Sequence, residues 1–356
     1  MQTIGVGIIG LHHLHPVDYL PHFDALPETE VRAIAEADAA YLSRVCEDAG
    51  IHGEADYGNL LARDDIDLVA LFLPHAECPE AVERAAEAGK HVVVEKPMAD
   101  TANGIRRMVS ATREAGVTLS SAYCWRYHPA SREIKRLVDE GLLGDIVALE
   151  GRCAAGSPLR YFNENISPWL VEKAAAGGGP MHNLGVHWID LFRWLLGDEV
   201  ESATGMVSHV QHNLEVEDNS FGTIRFHGGA TATLDISYSV PGSYPAGRDL
   251  FISVRGSKGA LSWSPAWGGT ADEVFVVSDD ASWADGPVRT LQIGSRDVQG
   301  YGGVSGLAYL RDVAKAIATG HEPEVTGIDG LRAMEVVEAI YRSAETGEAT
   351  QVQQVD

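Results

Sequence analysis

The chain has 356 residues, 45% of them apolar and 22% charged, enough to bury a large core and long enough for two domains. Its formal net charge of −24 is spread without a long acidic run, which excludes non-specific attraction to nucleic-acid phosphates or anionic lipid. Apolar runs fall short of the roughly 20 residues that cross a bilayer, and Cys46, Cys78, Cys124 and Cys153 are too scattered for a disulfide scaffold or a paired CxxC metal site. No secretion signal is read at the N-terminus, so a cytoplasmic protein with reduced thiols is expected.

In chain order, Ile4 to Ile9, Val31 to Ala35, Leu68 to Leu73, His91 to Val94 and Val117 to Ser120 read as strands separated by stretches of helical spacing. Strands this apolar belong in a parallel sheet covered on both faces. The expected fold is α/β, with a Rossmann doubly wound domain over residues 1–123. Beyond it the spacing predicts a helix from Pro129 to Gly141, a strand from Ile146 to Arg152, and a loop-rich stretch holding Pro158, Asn163, Asn165 and Pro168. A second helix after Gly177-Gly178-Gly179 carries His187 to Leu196. Asn219 to Phe226, Ala230 to Tyr238, Asp249 to Val254 and Ala260 to Trp263 then alternate as in a mostly antiparallel open sheet, and a helix from Gly327 to Thr346 closes an α/β domain over residues 124–356.

Gly7-Ile8-Ile9-Gly10 ends the first strand where a doubly wound fold rests a pyrophosphate on the positive end of a helix. The G-x-G-x-x-G pattern is incomplete, because His12 and His15 stand where the later glycines would be. Both histidines are candidate phosphate or substrate contacts, or loop-packing residues. The cluster His12-His13-x-His15 has no Cys or carboxylate at ligand spacing, so no metal is expected. Glu36, 26 positions after Gly10, ends the second strand. It suits a ribose diol and would repel a 2′-phosphate, favouring NAD over NADP; a solvated carboxylate at a helix start is the alternative.

Gly89-Lys90-His91-Val92-Val93-Val94-Glu95-Lys96-Pro97 sets an acid, a base and a proline directly after an apolar strand. Strand ends of such a sheet face the ligand crevice, and a partly desolvated ammonium there can exchange a proton with a substrate hydroxyl. Glu95 is placed to hold the Lys96 side chain or its charge. In the segment from Gly177 to Asp190, Asn183 and His187 are four apart and share a helical face, where they could flank a carbon bearing hydroxyls. A satisfied core histidine, with Asp190 as a local partner, is the plainer alternative.

With these segments in place the chain resembles the Gfo/Idh/MocA family, the glucose–fructose oxidoreductase and inositol dehydrogenase group, over nearly its whole length. Glu95-Lys96-Pro97 and the triple glycine leading to His187 are the specific matches. Ala88-Gly89-Lys90-His91-Val92, Tyr127-His128-Pro129, Glu217-Asp218-Asn219, Gly256-Ser257-Lys258-Gly259, Val325-Thr326-Gly327 and Ala339-Ile340-Tyr341-Arg342-Ser343 support them. The resemblance implies an NAD(P)-dependent oxidoreductase of a sugar, cyclitol or similar polyol, with nicotinamide and substrate between the domains and a homodimer or homotetramer formed through the second sheet. It makes Lys96 the proton-transfer residue and His187 a positioning or relay residue. Asn183 stands where many members carry aspartate.

Leu73-Pro74-His75-Ala76-Glu77-Cys78 replaces the family's Thr-Pro-Asn-x-x-His, and the stretch from Gly10 to Glu36 is one residue longer than usual. The candidate cofactor contacts are therefore Gly7, Gly10, His12, His15, Glu36, Leu73, Pro74, His75, Glu95 and Lys96. The candidate substrate contacts are Lys96, Arg126, Tyr161, Asn165, Trp169, His182, Asn183 and His187. Two alternative functions are an enzyme that retains and recycles NAD for elimination or glycoside cleavage, and a non-catalytic ligand or nucleotide sensor.

Overall fold

The structure is a computed structural model that describes residues 3–156, 166–265 and 271–354. These form two compact units. The first gathers 3–124, 166–177 and 298–331, and the second gathers 125–156, 178–297 and 332–354 with the gaps noted. Where the sequence reading has a single cut after residue 123, the chain returns twice to its first unit, because 166–177 and the helix Val304–Thr319 with its flanks pack on the N-terminal layers. Such returns leave no periodicity signal.

In the first unit, β1 (Ile4–Ile9), β2 (Thr29–Ala35), β3 (His52–Glu54), β4 (Leu68–Leu71), β5 (His91–Val94) and β6 (Leu119–Ser121) form one sheet in the order β3-β2-β1-β4-β5-β6. Every pairing is parallel. All six residues of β1 are buried, as the unbroken run Ile4, Val6, Ile8, Ile9 requires of a strand covered on both faces. The crossover helices are set by their first residues: Asp38 accepts from the Ala40 and Tyr41 N–H groups ahead of Ala39–Ala49, and Thr101 accepts from Gly104 ahead of Ala102–Ala115. β3 escaped the sequence reading because it is a three-residue edge strand.

The second unit is built on β7 (Ile146–Ala155), β8 (Val200–Ser208), β9 (Asn219–Phe226), β10 (Thr231–Ser237), β11 (Arg248–Gly256), β12 (Gly259–Trp263), β13 (Ala271–Ser278), β14 (Val288–Gly294) and β15 (Thr350–Gln351). Their order is β14-β13-β12-β11-β7-β10-β9-β8-β15, and only the β7 and β10 pair is parallel. β9 and β13 alternate buried and exposed positions, so one face is covered and the other is open. On the covered face the helix Val186–Leu196 lies so close that a Cβ at Gly151 would sit 2.7 Å from the Trp188 ring. β8, β13 and β14 were not read from the sequence, because exposed polar residues such as Thr204, Glu273 and Gln292 interrupt their apolar runs.

Candidate functional site

The order of strands reverses between β1 and β4, and the carboxyl ends of these two neighbours open the crevice in which doubly wound folds bind nucleotides. Gly10 turns the chain there with φ +89°, and a Cβ would stand 2.7 Å from the Phe72 carbonyl oxygen, so this position admits only glycine. The Leu11 N–H donates to Glu36 Oε2 at 2.7 Å and the Asp38 N–H to Glu36 Oε1 at 2.9 Å, which ties the turn to the end of β2. Asp38 lies 3.5 Å from His12 Nε2, and its carboxyl is held below the usual range chiefly by the Tyr41 N–H. Two carboxylates therefore border the ribose end of the crevice, a setting that fits NAD and opposes a 2′-phosphate. With the Gly10 cradle, the residues present fit a dinucleotide.

The histidines of the loop go to different partners. His12 packs edge-on against Tyr41, and its carbonyl accepts from the Trp169 indole at 2.7 Å. Trp169, expected to contact substrate, packs in the first unit with Leu170 and Ala176 and holds Leu14 of the loop. His75, expected at the cofactor, is buried with Nδ1 2.8 Å from the Ala176 carbonyl and its ring edge-on to Trp169. Leu73 and Pro74 offer their carbonyls to the Cys78 thiol. Gly7, a candidate cofactor contact, lies inside β1 with the Leu60 side chain packed over it.

Lys96 follows β5 and is 4% exposed, beside an equally buried Glu95. The Tyr19 hydroxyl donates to Glu95 Oε2 at 2.8 Å. His15 Nδ1 lies 3.3 Å from Glu95 Oε1, and the His15 ring stacks on Tyr301 with centroids 3.9 Å apart. Burial pushes the Glu95 carboxyl up, against the opposing pull of Lys96, His13 and the Tyr19 hydroxyl. His13 is driven down to about 3, by burial first and then by His15, so it is a neutral imidazole at ordinary pH. Its Nδ1 accepts from the His15 N–H at 3.3 Å. Tyr19 and Tyr301 were absent from the sequence reading. Gly300-Tyr301-Gly302-Gly303 was the available signal, a tyrosine fixed in a glycine turn.

In the second unit the expected single helix begins as a π turn, Met181–Gly185, and continues as Val186–Leu196. Single π turns recur at functional sites because they displace side chains from helical register. The turn is clamped by Glu217, whose carboxylate accepts from the Gly179 N–H at 2.9 Å, the Tyr341 hydroxyl at 2.6 Å and the Ser220 hydroxyl at 3.0 Å. Tyr341 in turn accepts from the His182 N–H at 3.2 Å, which commits that backbone to the clamp. Asn183 donates to the Tyr238 hydroxyl at 3.1 Å, and His187 is 6% exposed one helical turn on.

Arg126, a candidate substrate contact, sends Nε and Nη2 to Asp190 at 2.9 and 2.5 Å in a buried bidentate pair. That geometry commits Nε and Nη2 to Asp190, which is its buried partner. Tyr161 and Asn165 lie outside the described residues. Among the described residues no group of three or more metal-ligating side chains gathers, and no helix is long and apolar enough to cross a membrane.

Two sequence profiles match the chain. One, described as the oxidoreductase family with an NAD-binding Rossmann fold, covers residues 3–123, and the other, the GFO/IDH/MocA C-terminal domain, covers residues 131–262. A protein named D-xylose 1-dehydrogenase (NADP(+)) 2 from Haloferax volcanii is 28% identical over 352 residues, covering 97% of this chain and 99% of that one. The aldose–aldose oxidoreductase of Caulobacter crescentus, solved with glycerol, superposes with a TM-score of 0.83 at 27% identity over 98% of this chain and all of that one. An oxidoreductase from Agrobacterium radiobacter, solved with NAD+, L-tartaric acid and magnesium, shares the fold at a TM-score of 0.86 and 21% identity, covering 99% of each chain. The Rossmann unit with its β1/β4 crevice, the open-faced second sheet and these matches place the chain in the Gfo/Idh/MocA family, as an NAD-binding dehydrogenase or reductase.

Proposed function

We propose that the protein oxidises a secondary alcohol of an aldose or related cyclic polyol, reversibly, with NAD as the preferred cofactor. NAD when bound supplies the hydride acceptor. Lys96 takes the proton of the reacting hydroxyl, and His187 and Asn183 hold substrate hydroxyls. The observation that carries this reading is the burial of Lys96, next in sequence to the buried Glu95 and two residues past the end of β5 in an NAD-binding Rossmann unit. An amine out of water gives up its proton more readily than one on the surface, as a base acting on a hydroxyl requires. The names of the relatives favour a sugar: one is a D-xylose dehydrogenase and one an aldose–aldose oxidoreductase. Glu36 and Asp38 favour NAD over NADP, which differs from the cofactor in the name of the Haloferax relative.

The test is a panel of aldoses, their lactones and cyclitols with NAD and NADP, followed at the nicotinamide band. The reading expects an absorbance change with at least one aldose or cyclitol and a preference for NAD. No change with any member in either direction overturns it. Product without net NADH would place the protein with the cofactor-retaining alternative. We also assign the open face of the second sheet to a second copy of the chain, because Met206 and Phe221 pair across β8 and β9 there and are 71% and 51% exposed.

A further inference from the structure

We propose that Glu217 and Tyr341 are positioning residues for Asn183: together they hold the π turn that sets this side chain for the substrate. This rests on the reading of Asn183 as a holder of a substrate hydroxyl. It gives a role to two segments of the family resemblance that the proton transfer leaves unused, Glu217-Asp218-Asn219 and Ala339-Ile340-Tyr341-Arg342-Ser343.

Both residues are fixed before they reach the turn. Asp218 anchors the chain beside Glu217, because its carboxylate accepts from the Gln211 and His212 N–H groups, each at 2.7 Å. Tyr341 lies on the helix Gly327–Thr346, which is pinned on β8 where the Gly205 N–H donates to Ser343 Oγ at 3.0 Å. The two side chains then meet, the Tyr341 hydroxyl donating to Glu217 Oε1 at 2.6 Å. Glycine makes the room for them: a Cβ at Gly178 would overlap the Tyr341 hydroxyl, and one at Gly179 the Glu217 carbonyl. Gly178 and Gly179 therefore form the socket of the clamp.

The first N–H groups of a helix have no partner within it. Here the clamp supplies three: Glu217 accepts from Gly179 at 2.9 Å and Met181 at 3.4 Å, and the Tyr341 hydroxyl accepts from His182 at 3.2 Å. The Gly179 carbonyl in turn accepts from the Asn183 N–H at 2.9 Å, so the hold on Gly179 passes to Asn183. The π turn adds a residue to the helical ring and rotates Asn183 relative to His187. The Asn183 side chain is set by the same motif, since Nδ2 donates to the Tyr238 hydroxyl at 3.1 Å and the Tyr238 N–H donates to the Asp218 carbonyl at 2.9 Å. Loss of the Tyr341 hydroxyl takes this partner from the buried His182 N–H, and the turn relaxes toward the α pattern, moving Asn183 out of its setting.

The experiment measures kcat and KM for the best substrate of the panel, and NAD affinity by calorimetric titration, for wild type, Y341F, N183A and the double variant Y341F/N183A. Y341F is expected to raise KM for the polyol about tenfold, as the loss of one substrate hydrogen bond would, with NAD affinity changed less than about threefold. In the N183A background the same change is expected to raise KM less than about threefold, because the side chain through which the clamp acts is gone. S220A, which removes another donor to Glu217, raises KM by less and serves alone should Y341F not fold. An unmoved KM in the folded variants overturns the inference. So do effects of Y341F and N183A that simply multiply, or a loss of NAD affinity in Y341F as large as its rise in KM. N183A with wild-type kinetics defeats the underlying reading and the inference with it, whereas a raised KM in N183A beside an unmoved Y341F defeats the inference alone.

Discussion

His13 shows how one side chain in the loop acts on stability. Its imidazole is buried and titrates near 3, whereas in the unfolded chain it titrates near the ordinary 6.5. Between those values the unfolded state binds the extra proton, so stability is fully present above about pH 6.5 and falls as pH drops, by roughly 1.4 kcal/mol per unit. His22 and His91 are shifted the same way by burial and steepen the fall. Glu95, shifted up, works in the opposite direction as the pH drops through its folded titration. The expected outcome is a urea midpoint that declines from pH 7 to pH 5, and a His13→Leu variant with a shallower decline. An unchanged slope in that variant would contradict the buried, neutral state of His13. The His12-His13-x-His15 run was legible as a departure from the glycine pattern, yet spacing alone made it look like one cluster. The structure separates it into three roles, with His12 at the Asp38 rim, His13 in the core and His15 against Glu95.

At the scale of the element, the sequence was most legible where one period dominates. β1, β5, β9 and the helix Gly327–Thr346 fall on the predicted segments, because their burial follows one unbroken pattern. It was least legible where a long-range bond sets the shape. The π turn at Met181–Gly185 depends on Glu217, 38 residues from the Gly179 N–H it accepts, and on Tyr341, further still. Every partner named for Glu217 is a donor, so an amide at this position would turn its own N–H groups toward other donors. Glu217→Gln is therefore expected to cost about 1–3 kcal/mol, and Tyr341→Phe about 1 kcal/mol. Chemical denaturation checks the ranking, and a Tyr341→Phe variant less stable than Glu217→Gln would contradict the clamp. The Arg126 and Asp190 pair makes the same point from the other side: an arginine near two motifs looked available to substrate, and only the fold reveals the carboxylate that takes it.

For the whole molecule, unbroken apolar runs foretold a parallel sheet and alternating ones an antiparallel sheet after it, while the interleaving of the two units came from chain returns that no local pattern encodes. The open face of the second sheet exposes Phe221 and Phe275 among polar neighbours. If a second copy covers it, Phe221→Glu lowers the mass measured by light scattering toward one chain, 38.2 kDa, without loss of secondary structure by circular dichroism. A wild-type protein that is already one chain at micromolar concentration contradicts that assignment. The central claim is that a buried lysine beside Glu95 transfers the proton in an NAD-linked sugar oxidation. Its most direct test is the rate of NADH formation by Lys96→Met, at saturating NAD and on the best substrate of the panel. The account predicts a loss of about 10²- to 10⁴-fold in a variant that keeps its secondary structure by circular dichroism. A variant that forms NADH at the wild-type rate would contradict it.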